Sequence, residues 1–185
     1  MHPSIFVWLV YALWLTLVGY LTSSAIGVRQ ARKEHLGQRF AILFLIIASF
    51  LVPYLPIFRF VNFAPVSPVL SAVGVMLCAG GMALLAWARH RLGRSWSPTV
   101  AKKEGQQLVT SGPYRYVRHP MYFGGLVAAI GSAIVCGGAF VFLSIILGTI
   151  FVWRVRAEDR LMAQSFPKEY PGYKKRTKAL IPFVW

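Results

Sequence analysis

The stretch MYFGGLVAAIGSAIVCGGAFVFLSIILGTIFVW, residues 121–153, is too long and too apolar for a single membrane crossing. A helix needs about 20 apolar residues to span the hydrocarbon of a bilayer, and this run is interrupted near its middle by Gly137 and Gly138. Because a tight turn favours residues without a Cβ atom, the glycine pair predicts a helical hairpin that returns to its starting side. Each arm is expected to be short, about 16 to 18 residues.

Three further apolar runs precede the hairpin, at residues 5–26, 40–58 and 69–88. With 57% hydrophobic residues and a mean hydropathy of +0.58, these runs predict an all-α, polytopic integral membrane protein with about five transmembrane helices. The first run lacks a basic segment before it and is longer than the apolar part of a signal peptide. It is therefore interpreted as a retained first helix.

The basic residues lie mainly in three polar segments, 29–39, 89–118 and 154–178. If the hairpin forms, 19 of the 20 Lys and Arg residues share one side of the membrane, and Arg59 is the exception. Since cytoplasmic loops collect basic residues, that side is predicted to be cytosolic and the N-terminus to lie outside. Attraction to anionic headgroups accounts for the net charge of +15, so no nucleic-acid partner is expected.

The polar segments also suggest how the chain is organised. Residues 1–88 are predicted to form a three-helix membrane region, and residues 89–185 a catalytic region made of a polar linker, the hairpin and a polar tail. The two cysteines, Cys78 and Cys136, lie among small residues inside predicted membrane helices. They are interpreted as packing residues, so neither a disulfide nor a metal site is predicted.

The entrance to the hairpin reads SGPYRYVRHPMYFGG, residues 111–125. Pro120 is predicted to begin the first arm with His119 at its cap, which leaves the first backbone N–H groups of the helix without partners. A helix N-terminus beside Arg118 and His119 suits a carboxylate or a phosphate. The alternative interpretation is a basic, tyrosine-rich anchor at the membrane surface.

Aromatic and small residues surround this entrance. Tyr114, Tyr116 and Tyr122 offer ring faces that could stack on a flat ligand or meet a cation. Gly124 and Gly125 would allow a second backbone or a ligand to approach closely.

The polar tail begins RVRAEDRLMAQSFPKEYPGYKK, residues 154–175, and contains three of the five acidic residues of the chain. On a helix continuing from the second arm, Arg154 and Glu158 share a face, whereas Asp159 points about 100° away. An ion pair at a helix end is one interpretation, and a carboxylate beside a cationic or hydroxyl-bearing ligand is the other. Because the hairpin returns to its starting side, the acidic pair is expected near the entrance of the first arm.

The pattern LVTSGPYRYVRHPMYFGG followed by the acidic tail resembles the isoprenylcysteine carboxyl methyltransferase family of integral-membrane enzymes. The resemblance covers about residues 90–182, with a weaker echo in HRLGRSWS at 90–97. It implies a helical fold with a cytosolic pocket for S-adenosylmethionine. The cofactor-binding residues that it implies are Gln107, Leu108, Gly112, Tyr114, Arg118, His119, Pro120, Tyr122, Glu158 and Asp159. The family usually has two glutamates at the acidic pair, so the resemblance indicates Glu158 more strongly than Asp159.

Methyl transfer is a one-step displacement, so an acceptor that is already a carboxylate needs alignment and partial desolvation only. Arg154 or Arg156 could hold such a carboxylate. An amine or thiol acceptor would first have to lose a proton, which Glu158 or a tyrosine could assist. Glu158, Arg154 and Arg156 are the candidate catalytic residues, and a lipid-like or lipidated acceptor, preferably a carboxylate, is expected to arrive from the membrane.

Other functions remain open on the sequence. Relatives of this family include enzymes acting on phospholipid amines or small thiols, and membrane sterol reductases with a related architecture use NADPH. The chain has no glycine-rich dinucleotide motif, although membrane reductases do not require one. A non-catalytic module that binds membrane lipids through its basic face is the third alternative.

Overall fold

The computed structural model describes residues 4–25, 67–93, 107–182 and 184. These residues form five α-helices, α1 (Ile5–Ala25), α2 (Pro68–Leu92), α3 (Pro120–Cys136), α4 (Gly138–Ser165) and α5 (Tyr170–Arg176), with a 3-10 turn at Gly112–Arg115. The β pairing within these ranges is one isolated parallel bridge between Val117 and Lys178. The prediction of an all-α protein is confirmed.

Three of the helices are long and apolar enough to cross a membrane: α1, α2 and the part of α4 from Phe140 to Ser165. Helix α3 is equally apolar in character but shorter, at 17 residues. Large apolar side chains such as Trp8, Met76 and Ile145 are exposed on these helices, as expected of surfaces that contact lipid. The chain is a multi-pass membrane protein, and the span predicted at 40–58 lies outside the described residues.

The hairpin prediction is confirmed at the glycine pair. Helix α3 ends at Cys136, Gly137 has a φ of 81°, and α4 begins at Gly138. A positive φ of this size is accessible to glycine at little cost, so the chain reverses between two helices within one residue. Helix α4 then runs to Ser165, well beyond the apolar arm, and carries the acidic pair on its polar end.

Helices α2 and α3 pack with their backbones in contact. A Cβ atom added at Gly81 would lie 2.5 Å from the carbonyl oxygen of Gly124, and one added at Gly131 would lie 2.5 Å from that of Gly74. These distances are far below ordinary contact distances, so four glycines define the interface. Of the two possibilities predicted for Gly124, the close approach of another backbone is the one observed.

Helix α1 is joined to this pair by hydrogen bonds. The indole N–H of Trp14 donates to the Ser132 hydroxyl of α3 at 3.0 Å. At the polar end of the bundle, the buried guanidinium of Arg89 donates to the Ser24 carbonyl at 2.9 Å and to the Gly93 carbonyl at 3.1 Å. Arg89 lies in the last turn of α2, which continues to Leu92, four residues beyond its predicted apolar run.

The extension of α2 to Leu92 affects the predicted boundary between the membrane region, residues 1–88, and the catalytic region, residues 89–185. This boundary falls inside α2, which is one uninterrupted helix that packs against α3 of the second region. The two-region organisation stays a prediction, but in the described part of the chain the regions share a packed interface.

Candidate active site

The segment before α3 is fastened to the C-terminal part of the chain by backbone hydrogen bonds. Val117 forms the parallel bridge with Lys178, the amide of Arg118 donates to the Lys178 carbonyl at 2.8 Å, and the amide of His119 donates to the Ala179 carbonyl at 3.0 Å. This pairing holds the tail against the entrance of α3. Two consecutive side chains, Arg118 and His119, are thereby directed at the polar end of α4.

His119 is the N-cap residue of α3, and Pro120 is the first residue of the helix, as predicted. The imidazole lies between the two acids of α4: Nε2 is 2.9 Å from Asp159 Oδ1, and Nδ1 is 3.4 Å from Glu158 Oε2. The structure therefore brings the acidic pair to the entrance of α3, as the hairpin predicted.

The position of His119 between two carboxylates decides its protonation. Carboxylate oxygens accept hydrogen bonds, so the two contacts favour a proton on each ring nitrogen. Burial by itself would lower the pKa of His119, but the hydrogen bonds to Asp159 and Glu158 and their negative charges outweigh it and raise the pKa above its ordinary value. The ring is expected to be an imidazolium that links the two acids.

Asp159 has the largest number of polar partners in this cluster. Its two oxygens receive Arg118 Nε at 3.3 Å and Nη2 at 3.0 Å, in the two-pronged arrangement that suits a guanidinium and a carboxylate. The Tyr170 hydroxyl also donates to it, and Lys174 Nζ lies 3.6 Å away. The residue that departs from the usual family pattern is thus the one that joins α3, α4 and α5.

Glu158 is the more accessible of the two acids. Its side chain is 23% exposed, compared with 11% for Asp159. The Tyr122 hydroxyl donates to Glu158 at 2.5 Å, and Arg154 Nη2 lies 3.2 Å away, which confirms that Arg154 and Glu158 share a face. Arg154 Nε also donates to the Tyr122 hydroxyl at 2.9 Å, so these three side chains form a closed set of polar contacts.

The three tyrosines predicted to offer ring faces to a ligand, Tyr114, Tyr116 and Tyr122, differ in burial and in the contacts of their rings. The Tyr122 ring stacks on Phe151 at 4.8 Å and on His119 at 5.8 Å between centroids, so side chains of the protein cover its faces. Tyr116 is exposed, whereas Tyr114 is buried. In this structure, then, the predicted stacking of a ligand on Tyr122 would require one of those neighbours to move.

Tyr114 is distinguished by a buried hydroxyl that has no hydrogen-bond partner among the residues described. Burial raises the pKa of Tyr114, and the negative charge of nearby Glu158 adds to the effect, so the hydroxyl stays a donor. A buried hydroxyl without a partner is uncommon because it has lost its hydrogen bonds to water. Its backbone carbonyl accepts a bond from the Tyr173 hydroxyl at 2.7 Å.

The prediction of free backbone N–H groups at the start of α3 is wrong for Tyr122, whose amide donates to the His119 carbonyl at 3.1 Å. Arg118 is also engaged on its other side, because Nη1 donates to the carbonyls of Thr177 at 2.5 Å and Lys174 at 3.3 Å. The cations that the sequence suggested for a ligand carboxylate are bonded here to carboxylates of the chain itself.

The remaining predicted residues lie outside this network. Gln107 and Arg156 are exposed, and Leu108 is half-buried. Gly112 has a φ of 63°, and a Cβ atom there would lie 3.1 Å from the Arg91 side chain, so this glycine serves a turn and a close contact. Of the two candidate arginines on α4, the structure brings Arg154 to the acidic pair and leaves Arg156 on the exposed side.

Four tail residues that complete the site were not predicted from the sequence: Tyr170, Tyr173, Lys174 and Thr177. Tyr170 and Tyr173 are three residues apart, a spacing that places both side chains on one face of a short helix. That spacing was the available signal. It could not show that Tyr170 bonds to Asp159, which is 11 residues earlier on another helix, or that Tyr173 bonds to Tyr114, which is 59 residues earlier.

Together these features define a multi-pass helical membrane protein in which the hairpin and the tail converge on a buried cluster of charges. A family model described as the isoprenylcysteine carboxyl methyltransferase (ICMT) family matches residues 73–164. The chain belongs to this family.

The relatives differ in name and in coverage. A protein-S-isoprenylcysteine O-methyltransferase of Saccharomyces cerevisiae is 33% identical over 149 residues, which are 78% of this chain and 61% of the relative. The cobalt-zinc-cadmium resistance protein CzcN of Cupriavidus metallidurans is 32% identical over 120 residues, 63% of this chain and 51% of the relative. The chain thus spans 61% and 51% of the lengths of these relatives.

Among solved structures, that of the eukaryotic intramembrane Ras methyltransferase ICMT (isoprenylcysteine carboxyl methyltransferase) is similar in fold. The TM-score is 0.56 at 23% sequence identity, and the match covers 80% of this chain and 53% of the other. This likeness establishes that the two proteins share a helical membrane fold.

Proposed function

We propose that this protein is a membrane methyltransferase that uses S-adenosylmethionine and acts on a lipid-like or lipidated acceptor, preferably at a carboxylate. Family membership supports the reaction class. The observation that carries the proposal is the contact of His119 with both Glu158 and Asp159, because it unites the two motifs of the family in one buried cluster.

The chemistry of the cluster fits the proposed cofactor. S-adenosylmethionine has an ammonium and a sulfonium group, which a partly exposed carboxylate such as Glu158 would attract. It also has polar atoms that could accept a hydrogen bond from the Tyr114 hydroxyl, which has no partner within the described part of the chain. When bound, the cofactor supplies an electrophilic methyl group. We propose that Glu158 and Tyr114 contact it, and that Gln107, Leu108 and Gly112 approach it from the linker side.

The other cluster residues are proposed to act by positioning. The donors of Arg118 and His119 are bonded to Asp159 and Glu158, and Pro120 and Tyr122 hold His119 at the start of α3. Fixed in this way, Glu158 keeps one orientation without reorganising during the reaction. Asp159 would contribute as the buried anchor of this arrangement.

Arg154 is the residue proposed to contact the acceptor. It is half-buried, lies next to Glu158, and belongs to the apolar helix along which a lipid would approach. Its guanidinium could hold an acceptor carboxylate in line for displacement, while the surrounding helices exclude water. For an amine or a thiol acceptor, Glu158 would instead accept the proton that is lost.

The proposed orientation places this cluster and the tail in the cytosol and the N-terminus outside. The distribution of basic residues supports it, since the polar ends of α2 and α4 and the start of α3 all lie at one end of the bundle. A soluble cofactor would then enter from the cytosol, and the acceptor from the bilayer.

The test is methyl transfer by the purified protein in lipid vesicles, with methyl-labelled S-adenosylmethionine and an N-acetylated S-isoprenylcysteine. We expect a labelled methyl ester, no label when the carboxylate is already an amide, and strong loss of rate in Arg154→Ala but not in the matched variant Arg156→Ala. If this acceptor is inactive, mass spectrometry of a labelled lipid extract identifies another one. Calorimetry showing that NADPH binds and S-adenosylmethionine does not would refute the proposal in favour of a reductase.

A further inference from the structure

A second polar feature lies beside the cluster, where the segment before α3 meets the C-terminal part of the chain. It is a cavity of about 410 Å³, a size that suits a small ligand or a headgroup. It is lined by Arg115, Tyr116, Arg118, Lys174, Lys175, Arg176, Thr177, Lys178, Ala179 and Val184. We refer to it as the basic cavity. Its lining shares Arg118, Lys174 and Thr177 with the cluster but does not include Glu158 or Tyr114, the residues proposed to contact the methyl donor, so a ligand can occupy the basic cavity without entering the methyl-transfer pocket.

Six of the ten residues lining the basic cavity are Lys or Arg, and none is acidic. The nearby carboxylate is Asp159, 3.0 Å from Arg118 and 3.6 Å from Lys174. Asp159 is largely buried and already shared with His119 and Tyr170, so it offsets only a small part of the positive charge. The cavity therefore presents a strongly positive surface to any ligand that enters it.

The backbone imposes this gathering of like charges. The bridge between Val117 and Lys178 and the bond between the Arg118 amide and the Lys178 carbonyl join the two walls of the basic cavity. The bond from the Tyr173 hydroxyl to the Tyr114 carbonyl holds α5 in place. Cations kept close in this way repel one another, and a bound anion would relieve that repulsion.

The surroundings of the basic cavity match the headgroup level of a membrane. The cavity lies at the end of the bundle where α2 and α4 end in polar residues and where α3 begins. Tyr116 is 58% exposed, and the apolar side chains of Ile181 and Val184 are 39% and 70% exposed beside the cations. Exposed tyrosine and aliphatic side chains next to Lys and Arg are typical of protein surfaces that contact the bilayer interface.

We propose that the basic cavity binds the phosphate of an anionic phospholipid headgroup from the adjacent leaflet. Phosphate oxygens accept charge-assisted hydrogen bonds from Arg and Lys, and the oxygens of one phosphate can be shared among several of the cations around it. Val184 and Ile181 would then lie near the acyl chains. This site is independent of the methyl-transfer proposal, since the binding needs neither a methyl donor nor an acceptor.

The experiment is native mass spectrometry of the full chain in a neutral detergent, titrated with phosphatidylglycerol or with phosphatidylcholine. A micelle of neutral detergent carries no charged surface, so retention of the anionic lipid reports a site and not general attraction to a membrane. The test variant is Lys175→Gln with Arg176→Gln, because both side chains are exposed and line the cavity. The matched control is Arg160→Gln with Lys168→Gln, which removes two exposed charges outside the cavity.

We expect the native chain to retain phosphatidylglycerol in preference to phosphatidylcholine, the test variant to bind it about tenfold more weakly or worse, and the control to change less than about twofold. Glycerol 3-phosphate, which carries the phosphate without acyl chains, should compete only weakly. Equal losses in test and control variants, or no preference between the two lipids, would overturn the proposal. Binding of glycerol 3-phosphate as tight as that of the lipid would assign the cavity to a soluble phosphate and overturn the lipid assignment.

Discussion

The glycine interface between α2 and α3 and the charged cluster at the N-terminus of α3 both hold helices together, but through opposite kinds of contact. At the interface, Gly81 and Gly124 bring two helices into backbone contact by having no side chains. In the cluster, His119, Asp159 and Arg118 join three helices through long polar side chains. Both regions unite parts of the chain that are distant in sequence, but the first leaves no free space and the second depends on charge.

The two regions have different roles: the glycine interface determines where the site lies, and the charged cluster forms the site itself. Close packing of α3 on α2 determines where the entrance of α3 lies, and any side chain that keeps the helices apart would displace the whole entrance. The cluster consists of individual contacts, each of which can be removed while the helices stay packed. Substitutions in the glycine interface should therefore impair the fold as a whole, whereas substitutions in the cluster should impair individual contacts, with effects on local stability, binding or catalysis.

The largest effect is expected from Gly81→Leu. Even its Cβ atom would meet the Gly124 carbonyl at 2.5 Å, so the helices must separate, at a cost of about 3 kcal/mol or more. The neighbouring Gly80→Leu is the control, because a Cβ atom at Gly80 would meet, among the described residues, no atom within 4 Å beyond its own stretch of helix. Thermal unfolding in detergent should show a large loss for the first variant and little change for the second. Similar stability of the two variants would contradict the packing described here.

The next largest effect is expected from Asp159→Asn, which leaves Arg118, Lys174 and the His119 imidazolium without their shared carboxylate. Removing one member of a buried ion pair costs about 3 kcal/mol, and the loss should appear as a lower unfolding temperature together with impaired methyl transfer. Asp159→Glu keeps the charge and should recover much of the stability. A fully stable Asp159→Asn variant would show that the cluster does not hold α5 in place.

Glu158→Gln should affect binding more than stability, since Glu158 is the more exposed acid. We expect binding of S-adenosylmethionine to weaken by about 1 to 3 kcal/mol in calorimetry, the usual range for a hydrogen bond to a charged group. Glu169→Gln, which neutralises an exposed acid of the tail, is the control. Unchanged affinity in Glu158→Gln would move the proposed cofactor site away from this residue.

The smallest effect is a pH dependence that originates at His119. Because its pKa is raised in the folded protein, the native state binds more protons than the unfolded state, and the stabilisation is fully present below the ordinary histidine pKa of about 6.5. It should be lost as the pH rises through the higher pKa of the folded state.

The charged and titratable groups around His119 are Arg118 next to it, Tyr122 of α3, Glu158 and Asp159 of α4, and Tyr170 and Lys174 of α5, which contact Asp159. The measurement is the unfolding temperature of the native chain relative to His119→Gln across neutral and alkaline pH. A difference between the two proteins that grows as the pH rises would have the wrong sign for an imidazolium.

How far the site could be predicted from the sequence differs from residue to residue. The spacing of Arg154 and Glu158 correctly predicted a shared face, and the hairpin correctly predicted that the acidic pair would reach His119. Arg154 and Arg156 were predicted equally as the residue that holds an acceptor carboxylate, although side chains two residues apart on a helix point to nearly opposite faces. The first N–H groups of α3 were also predicted to be available to a ligand, although the Tyr122 amide is bonded to His119.

Composition and periodicity were sufficient for the membrane class, the reversal at Gly137 and the gathering of polar chemistry at one end of the bundle. Those features depend on local preferences: apolar length, the conformational freedom of glycine, and the tolerance of a helix start for proline. Tertiary structure alone decided that Asp159 is the shared partner of the cluster and that the tail supplies Tyr170 and a wall of cations. Asp159 meets Arg118 and His119, and Val117 meets Lys178, across 40 or more residues of sequence, whereas Tyr170 meets Asp159 from a different helix only 11 residues on. All of these contacts follow from how the helices pack, and no local spacing contains that information.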